Sequence, residues 1–240
     1  MTVFKMEGKM RQFAVIGLGK FGLAVAKTLT EKGCQVLAID TDEERVREAG
    51  EFAAHAVQMD ATDEEALKKI GFESIDVAIV SVGENLESSI LITLLLKEIG
   101  VKEVISKALT THHAKVLQKI GADRIVFPER EMGIRVAEHL VSPDILEMIR
   151  LSPDYDLLEL TVPKSLNGKT LKDIAPRTKY KVNVVAIKKR VPYVNDAGDS
   201  DFREEINPTP EGDDELSAGD VIVVTGETKM IAEFRKEVQK

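Results

Sequence analysis

The 240-residue sequence has one cysteine, Cys34. One thiol closes no internal disulfide, and one cysteine with four histidines gives no zinc-ligand spacing. Cys34 precedes a predicted strand and reads as a half-buried small apolar residue. Long apolar runs are missing too. The longest, around Ile90 to Leu96, stops at Lys97, whereas a membrane-spanning helix needs about 20 such residues, so no direct membrane insertion is expected. Basic charge is in deficit: 33 Lys and Arg against 41 Asp and Glu leave a net charge of −8. That argues against broad nucleic-acid binding, which uses clustered cations to neutralise phosphate. The opening MTVFKMEGKMRQ has no apolar signal core, so a short disordered leader and a cytoplasmic chain are expected.

What is present is a β/α alternation from Gln12 to about Phe127. FAVIG, QVLAID, HAVQMD, DVAIVSVG, EVISKAL and RIVF read as strands, each followed by a helical segment. Gly33, Gly50, Gly71, Gly100 and Gly121 punctuate the helix ends, as residues that tolerate the left-handed conformation do. Continuously apolar strands separated by single helices predict an α/β fold, a doubly wound parallel sheet covered on both faces. After Pro128 the pattern changes. Residues 129–152 read as two crossover helices, GIRVAEHLV and PDILEMIRL, split at Ser142-Pro143. Residues 153–240 read as a small α+β domain, leaving 10–128 as the nucleotide-binding domain. The acidic stretch 195–215 reads as a solvated hairpin loop, because Asp196, Asp199 and Asp201 lack EF-hand spacing.

The strongest motif is Gly17-Leu18-Gly19-Lys20-Phe21-Gly22. Alone, GxGxxG is weak, but here it follows a predicted strand and opens a predicted helix. Glycines then allow a tight turn and close approach of a pyrophosphate, and the helix start supplies unpaired N–H groups. Asp40 ends the second strand, where a carboxylate binds ribose hydroxyls. It favours an unphosphorylated ribose, and Thr41 and Asp42 continue the loop with no arginine for a 2′-phosphate. Asp60-Ala61, Ser81-Val82-Gly83 and Lys107 fall at the ends of later strands, on the same sheet edge. An adenine nucleotide or dinucleotide is the expected ligand.

No acid/base group for hydride chemistry stands out. Histidine is absent beyond His139, and the pair His112-His113 at a helix start reads as exposed or partly packed. The nucleotide therefore reads as a signal, with an NAD(H)-dependent oxidoreductase or redox sensor as the alternative.

Four segments resemble the KtrA/TrkA-type regulatory subunits of bacterial potassium uptake systems, which carry RCK domains. They are QFAVIGLGKFG, AVQMDATDEEALKKIG, HAKVLQKIGADRIVFPEREMGIRVA and NPTPEGDDELSAGDVIVVTG. They run through nearly the whole chain, and the likeness is closest to the KtrA type. The resemblance implies a Rossmann-like RCK N domain, crossover helices and an RCK C domain. It also implies dimers assembling into an octameric ring on the cytoplasmic face of a membrane-embedded potassium-conducting subunit. ATP and ADP would exchange at the N domain. Lys20, where relatives carry arginine, would reach the γ-phosphate across a dimer interface, and Glu129 would hold Mg2+ or Ca2+ near the phosphates. Cyclic di-AMP would bind the C domain, with Arg177 on phosphate and Leu171, Ile174 and Val182 lining the base pocket.

Overall fold

The computed structural model describes residues 11–83, 85–194 and 200–238. The chain divides into two compact units, the boundary falling between Met132 and Gly133.

The first unit alternates β1 (Gln12–Ile16), α1 (Lys20–Glu31), β2 (Gln35–Asp40), α2 (Glu43–Gly50), β3 (His55–Gln58), α3 (Glu64–Ile70), β4 (Val77–Val80), α4 (Leu86–Ile99), β5 (Glu103–Lys107), α5 (Thr111–Lys119) and β6 (Arg124–Val126). Helix α6 (Pro128–Val141) crosses the boundary between the units. The six strands lie in the order β3-β2-β1-β4-β5-β6, all parallel. Their apolar runs are continuous because both faces are covered. Ala14, Ile16, Leu37, Ile39, Ala78 and Val80 pack with Leu67 of α3 and Ile92 and Leu96 of α4. The intervening Val15, Val36, Ala38, Val77 and Ile79 pack on the other face with Ala26 of α1 and Ala49 of α2.

Helix boundaries follow local chemistry. Asp42 and Asp63 precede α2 and α3, and each accepts two backbone N–H groups of the first turn. Gly71 and Gly100 end α3 and α4 in the left-handed conformation. Gly50 departs from the expected punctuation: it is the last residue of α2 and is followed by a right-handed Glu51.

The second unit contains β7 (Ile145–Ser152), β8 (Tyr155–Thr161), β9 (Lys169–Thr170), α7 (Leu171–Ile174), α8 (Pro176–Lys179), β10 (Asn183–Val194), β11 (Ser200–Asn207), β12 (Glu215–Leu216), β13 (Val221–Glu227) and α9 (Thr228–Val238). Its main sheet is antiparallel, in the order β11-β10-β13-β8-β7. Leu158, Leu160, Ile187, Ile222 and Val224 form one apolar face, on which Ile231 and Phe234 of α9 pack.

Two sequence expectations fail here. PDILEMIRL is not a helix: residues 145–152 form β7, paired with β8. The register shifts between Ile145 and Glu147 and again between Arg150 and Ser152. These bulges break the two-residue alternation, so the apolar residues fall at a spacing that mimics a helix. The stretch 195–215 is not all loop either, since residues 200–207 form β11 against β10. The Asp196 and Asp199 of that stretch lie outside the described residues. Among the described residues no helix is long and apolar enough to cross a membrane.

Candidate functional site

The strand order reverses direction between β1 and β4, the place where open parallel sheets bind ligands at their C-terminal edge. A cavity of about 620 Å³ opens there. Gly17, Gly19, Lys20, Phe21, Asp40, Thr41, Asp60, Ala61, Ser81, Val82, Gly83, Lys107 and Glu129 all line it. Of the expected nucleotide-site residues only Gly22 does not reach the cavity. Its role is packing, as a Cβ there would sit 1.9 Å from the Gly17 carbonyl oxygen.

The glycine loop is built by two different requirements. Gly17 has φ +91° and a Cβ would meet the Ser81 carbonyl carbon at 2.9 Å, so the end of β1 lies directly on the end of β4. Gly19 is extended, and a Cβ there would meet no protein atom within 4 Å. Protein packing therefore does not explain its lack of a side chain, and the open space lies on the cavity. Gly19 is also the N-cap of α1 and has no side chain to cap it, which leaves the first-turn N–H groups without a side-chain partner at a helix start that lines the cavity.

Asp40 is buried and fixes this loop. Its Oδ2 accepts the Leu18 N–H at 2.6 Å and its Oδ1 accepts the Asp42 N–H at 2.9 Å. Arg45 Nη1 stands 3.6 Å from Oδ2 and also lines the cavity. The loop residues Thr41 and Asp42 include no arginine, as expected. The first turn of α2 brings Arg45 back to Asp40, and its place in the turn after the Asp42 cap was the available signal.

Asp60 is held by its own turn, accepting Thr62 N–H at 2.9 Å and Thr62 Oγ1–H at 2.7 Å. The Thr62 hydroxyl bond holds its carboxyl below the ordinary carboxylate range. Lys107, the last residue of β5, extends past Gly83, and its Nζ donates to Glu129 Oε1 at 2.5 Å. The Lys107 side chain is 11% exposed and that of Glu129 67%. The Lys107 hydrogen bond holds the Glu129 carboxyl below its usual range. Asn85, Ser88 and Met59 also wall the cavity, unforeseen in the sequence. Asn85 was legible as a helix cap, and it accepts the Ser88 N–H at 3.1 Å.

The second group of expected residues is placed differently. Val182 is fully buried, and Leu171 and Ile174 nearly so, within the core of the second unit. Arg177, on α8, is exposed. In one chain these three apolar residues belong to the packed core that holds the unit together. His113 of the histidine pair is 4% exposed, with Nε2 buried and unpartnered, and its burial pushes its pKa down.

Known proteins agree with this architecture. Residues 13–128 match the TrkA-N domain and residues 157–239 the TrkA-C domain. The chain is 42% identical to Ktr system potassium uptake protein C of Bacillus subtilis (strain 168), over 95% of this chain and 97% of that protein. It is 40% identical to Ktr system potassium uptake protein A of Vibrio alginolyticus, over 95% and 98%. Among solved structures, the GsuK channel superposes with a TM-score of 0.65 at 14% identity, covering 98% of this chain and 40% of that one. The GsuK RCK domain gives 0.50 at 22% identity, covering 95% and 46%. The chain thus spans under half of either GsuK chain, and these likenesses show the fold. Identity at this level along nearly the full length of both proteins, together with the TrkA-N and TrkA-C matches, shows that the chain belongs to the Ktr/TrkA family of potassium uptake proteins.

Proposed function

We propose that this chain is a nucleotide-sensing subunit that gates a membrane-embedded potassium-conducting partner, with ATP and ADP competing for the cavity at the β1/β4 switch point. The observation that carries the reading is the pair Gly19 and Asp40. Gly19 leaves open space above an uncapped helix start, where a phosphate gains N–H bonds and the positive end of the helix dipole. Asp40 lies at the end of the neighbouring strand, on the ribose side. The named relatives supply the potassium context.

A sensor of this kind acts by having two arrangements with different affinities for its ligands, and by passing that difference to its partner. Assembly into dimers and an octameric ring is part of the reading. Helix α6 supports self-association: none of its residues is buried, and Met132, Ile134, Val136, Leu140 and Val141 are all exposed. Lys20 lines the cavity and makes no ion pair among the described residues, which supports a role for it on a terminal phosphate, in its own site or across an interface. Cyclic di-AMP at the second unit would need Leu171, Ile174 and Val182 to serve an interface between copies, with Arg177 contributing charge.

A divalent ion does not fit the residues of one chain. Among the described residues no three His, Cys, Asp or Glu side chains are grouped to hold one, and Glu129 is already paired with Lys107. The reading therefore carries no step through Mg2+ or Ca2+.

Calorimetry with ATP, ADP, NADH and cyclic di-AMP tests the proposal, followed by potassium flux through vesicles holding the partner. Competitive binding of ATP and ADP, with flux that differs between them, is the expected result. Exclusive binding of NADH would overturn it in favour of a redox sensor or oxidoreductase.

A further inference from the structure

The charged groups on the cavity wall balance: Lys20, Arg45 and Lys107 stand against Asp40, Asp60 and Glu129. Two of these acids hold cavity-lining cations, Arg45 on Asp40 and Lys107 on Glu129. The two pairs differ. Asp40 also binds two backbone N–H groups, so it is fixed. Glu129 is largely exposed, while its partner Lys107 is nearly enclosed by the cavity wall.

An ammonium has three N–H donors, and among the described residues Lys107 uses one, on Glu129. Burying a cation with unspent donors is unfavourable unless another acceptor arrives. The place matters as well. Asp40 ends β2 on one side of β1, and Lys107 ends β5 on the other side, beyond β4. Strands are spaced about 4.8 Å apart. A nucleotide with its ribose at Asp40 and its first phosphate at the β1 loop therefore directs its later phosphates toward Lys107. Gly83 keeps that path open, since a Cβ there would sit 3.3 Å from the lysine Nζ.

We propose that Lys107 is an exchangeable internal cation, held by Glu129 in the nucleotide-free protein and transferred to the second or third phosphate when a nucleotide binds. The exchange rests on the nucleotide reading above and deepens it. It makes the β-phosphate the first one that Lys107 senses, and it accounts for the absence of a preformed divalent-ion site: the ammonium occupies the carboxylate such an ion would use. No covalent step is involved. One ion pair replaces another, and the stronger negative charge of a polyphosphate drives the replacement.

The test uses the full-length, nucleotide-stripped protein in excess EDTA, titrated with AMP, ADP and ATP. Lys107→Met is expected to weaken ADP and ATP by about tenfold or more, the scale of a lost charge-assisted hydrogen bond, and AMP by under about threefold. Lys107→Arg should recover most of the loss. Glu129→Gln should tighten ATP by about threefold, because the ammonium no longer has to leave a carboxylate. In a separate titration, with the EDTA removed by dialysis, calcium chloride alone added to the wild-type protein should show no saturable binding. Equal losses for AMP, ADP and ATP with Lys107→Met would overturn the exchange, as would no gain with Glu129→Gln or saturable calcium binding without nucleotide. Failure of the wild-type protein to bind any of the three nucleotides would instead overturn the nucleotide reading itself.

Discussion

Two glycines of one loop, three residues apart, are expected to respond to the same substitution in opposite ways. In Gly22→Ala the new Cβ would lie 1.9 Å from the Gly17 carbonyl oxygen and 3.1 Å from Ser81 Oγ. Ordinary contact needs about 3.4 Å, so α1 and the end of β1 must part by roughly 1.5 Å. Overpacking against backbone costs about 2 kcal/mol. For a unit of this size that lowers the thermal midpoint by on the order of 8 °C, and it would spread the loop proposed to bind phosphate. In Gly19→Ala the backbone, at φ −65° and ψ −178°, accepts alanine, and the methyl meets no protein atom within 4 Å. Loss of glycine at the cap costs under about 1 kcal/mol, so the midpoint falls by under about 4 °C. The methyl nevertheless projects where a phosphate must approach, and ATP and ADP affinity should fall by about tenfold or more. Scanning calorimetry and nucleotide titration of the two variants decide the matter. Unchanged nucleotide affinity in Gly19→Ala would refute the assignment of that open space to the ligand. An unchanged midpoint in Gly22→Ala would refute the packing argument.

Three further outcomes are expected. Lys20→Ala should weaken ATP by about tenfold and ADP by about threefold; equal losses would limit Lys20 to the inner phosphates. Asp40→Asn should weaken AMP, ADP and ATP by a similar factor, about tenfold, since it disturbs the ribose acceptor and the Leu18 tether together; unchanged affinity would remove Asp40 from the site. His113 gives a pH dependence. Its pKa in the folded chain lies below the ordinary 6.5 because of burial, so the unfolded chain takes up the proton first as pH falls. Stability present above about 6.5 is then lost progressively toward the lower folded pKa, and His113→Gln should flatten the plot of thermal midpoint against pH in that range. A slope that survives the substitution would assign it to another group.

The parts of this molecule legible in the sequence are those set by a rule acting within a few residues. The six parallel strands announced themselves as apolar runs because both of their faces are buried. The loop from Gly17 to Gly22 was legible because its turn, its helix start and the acid at Asp40 stand at set spacings. Whatever depended on pairing between distant segments was not legible. Strand β7 was misread because its two bulges are set by β8, and without that partner its apolar spacing is helical. Arg45 was passed over because only the turn of α2 returns it to Asp40. Lys107 and Glu129 were each picked out, one as a residue of the nucleotide-binding sheet edge and one, through the family resemblance, as a cation holder. That they hold each other follows only once β5 and β6 lie side by side, which sets Lys107 opposite Val126 and brings the start of α6 over it. The pairing changes the chemistry assigned to both. In the nucleotide-free protein Glu129 is neutralised by Lys107, and in the exchange proposed above an incoming phosphate competes with that carboxylate for the ammonium. A polyphosphate carries more charge than a carboxylate, so on that proposal ADP and ATP would draw the lysine away where AMP would not, the order that the Lys107→Met titration reads.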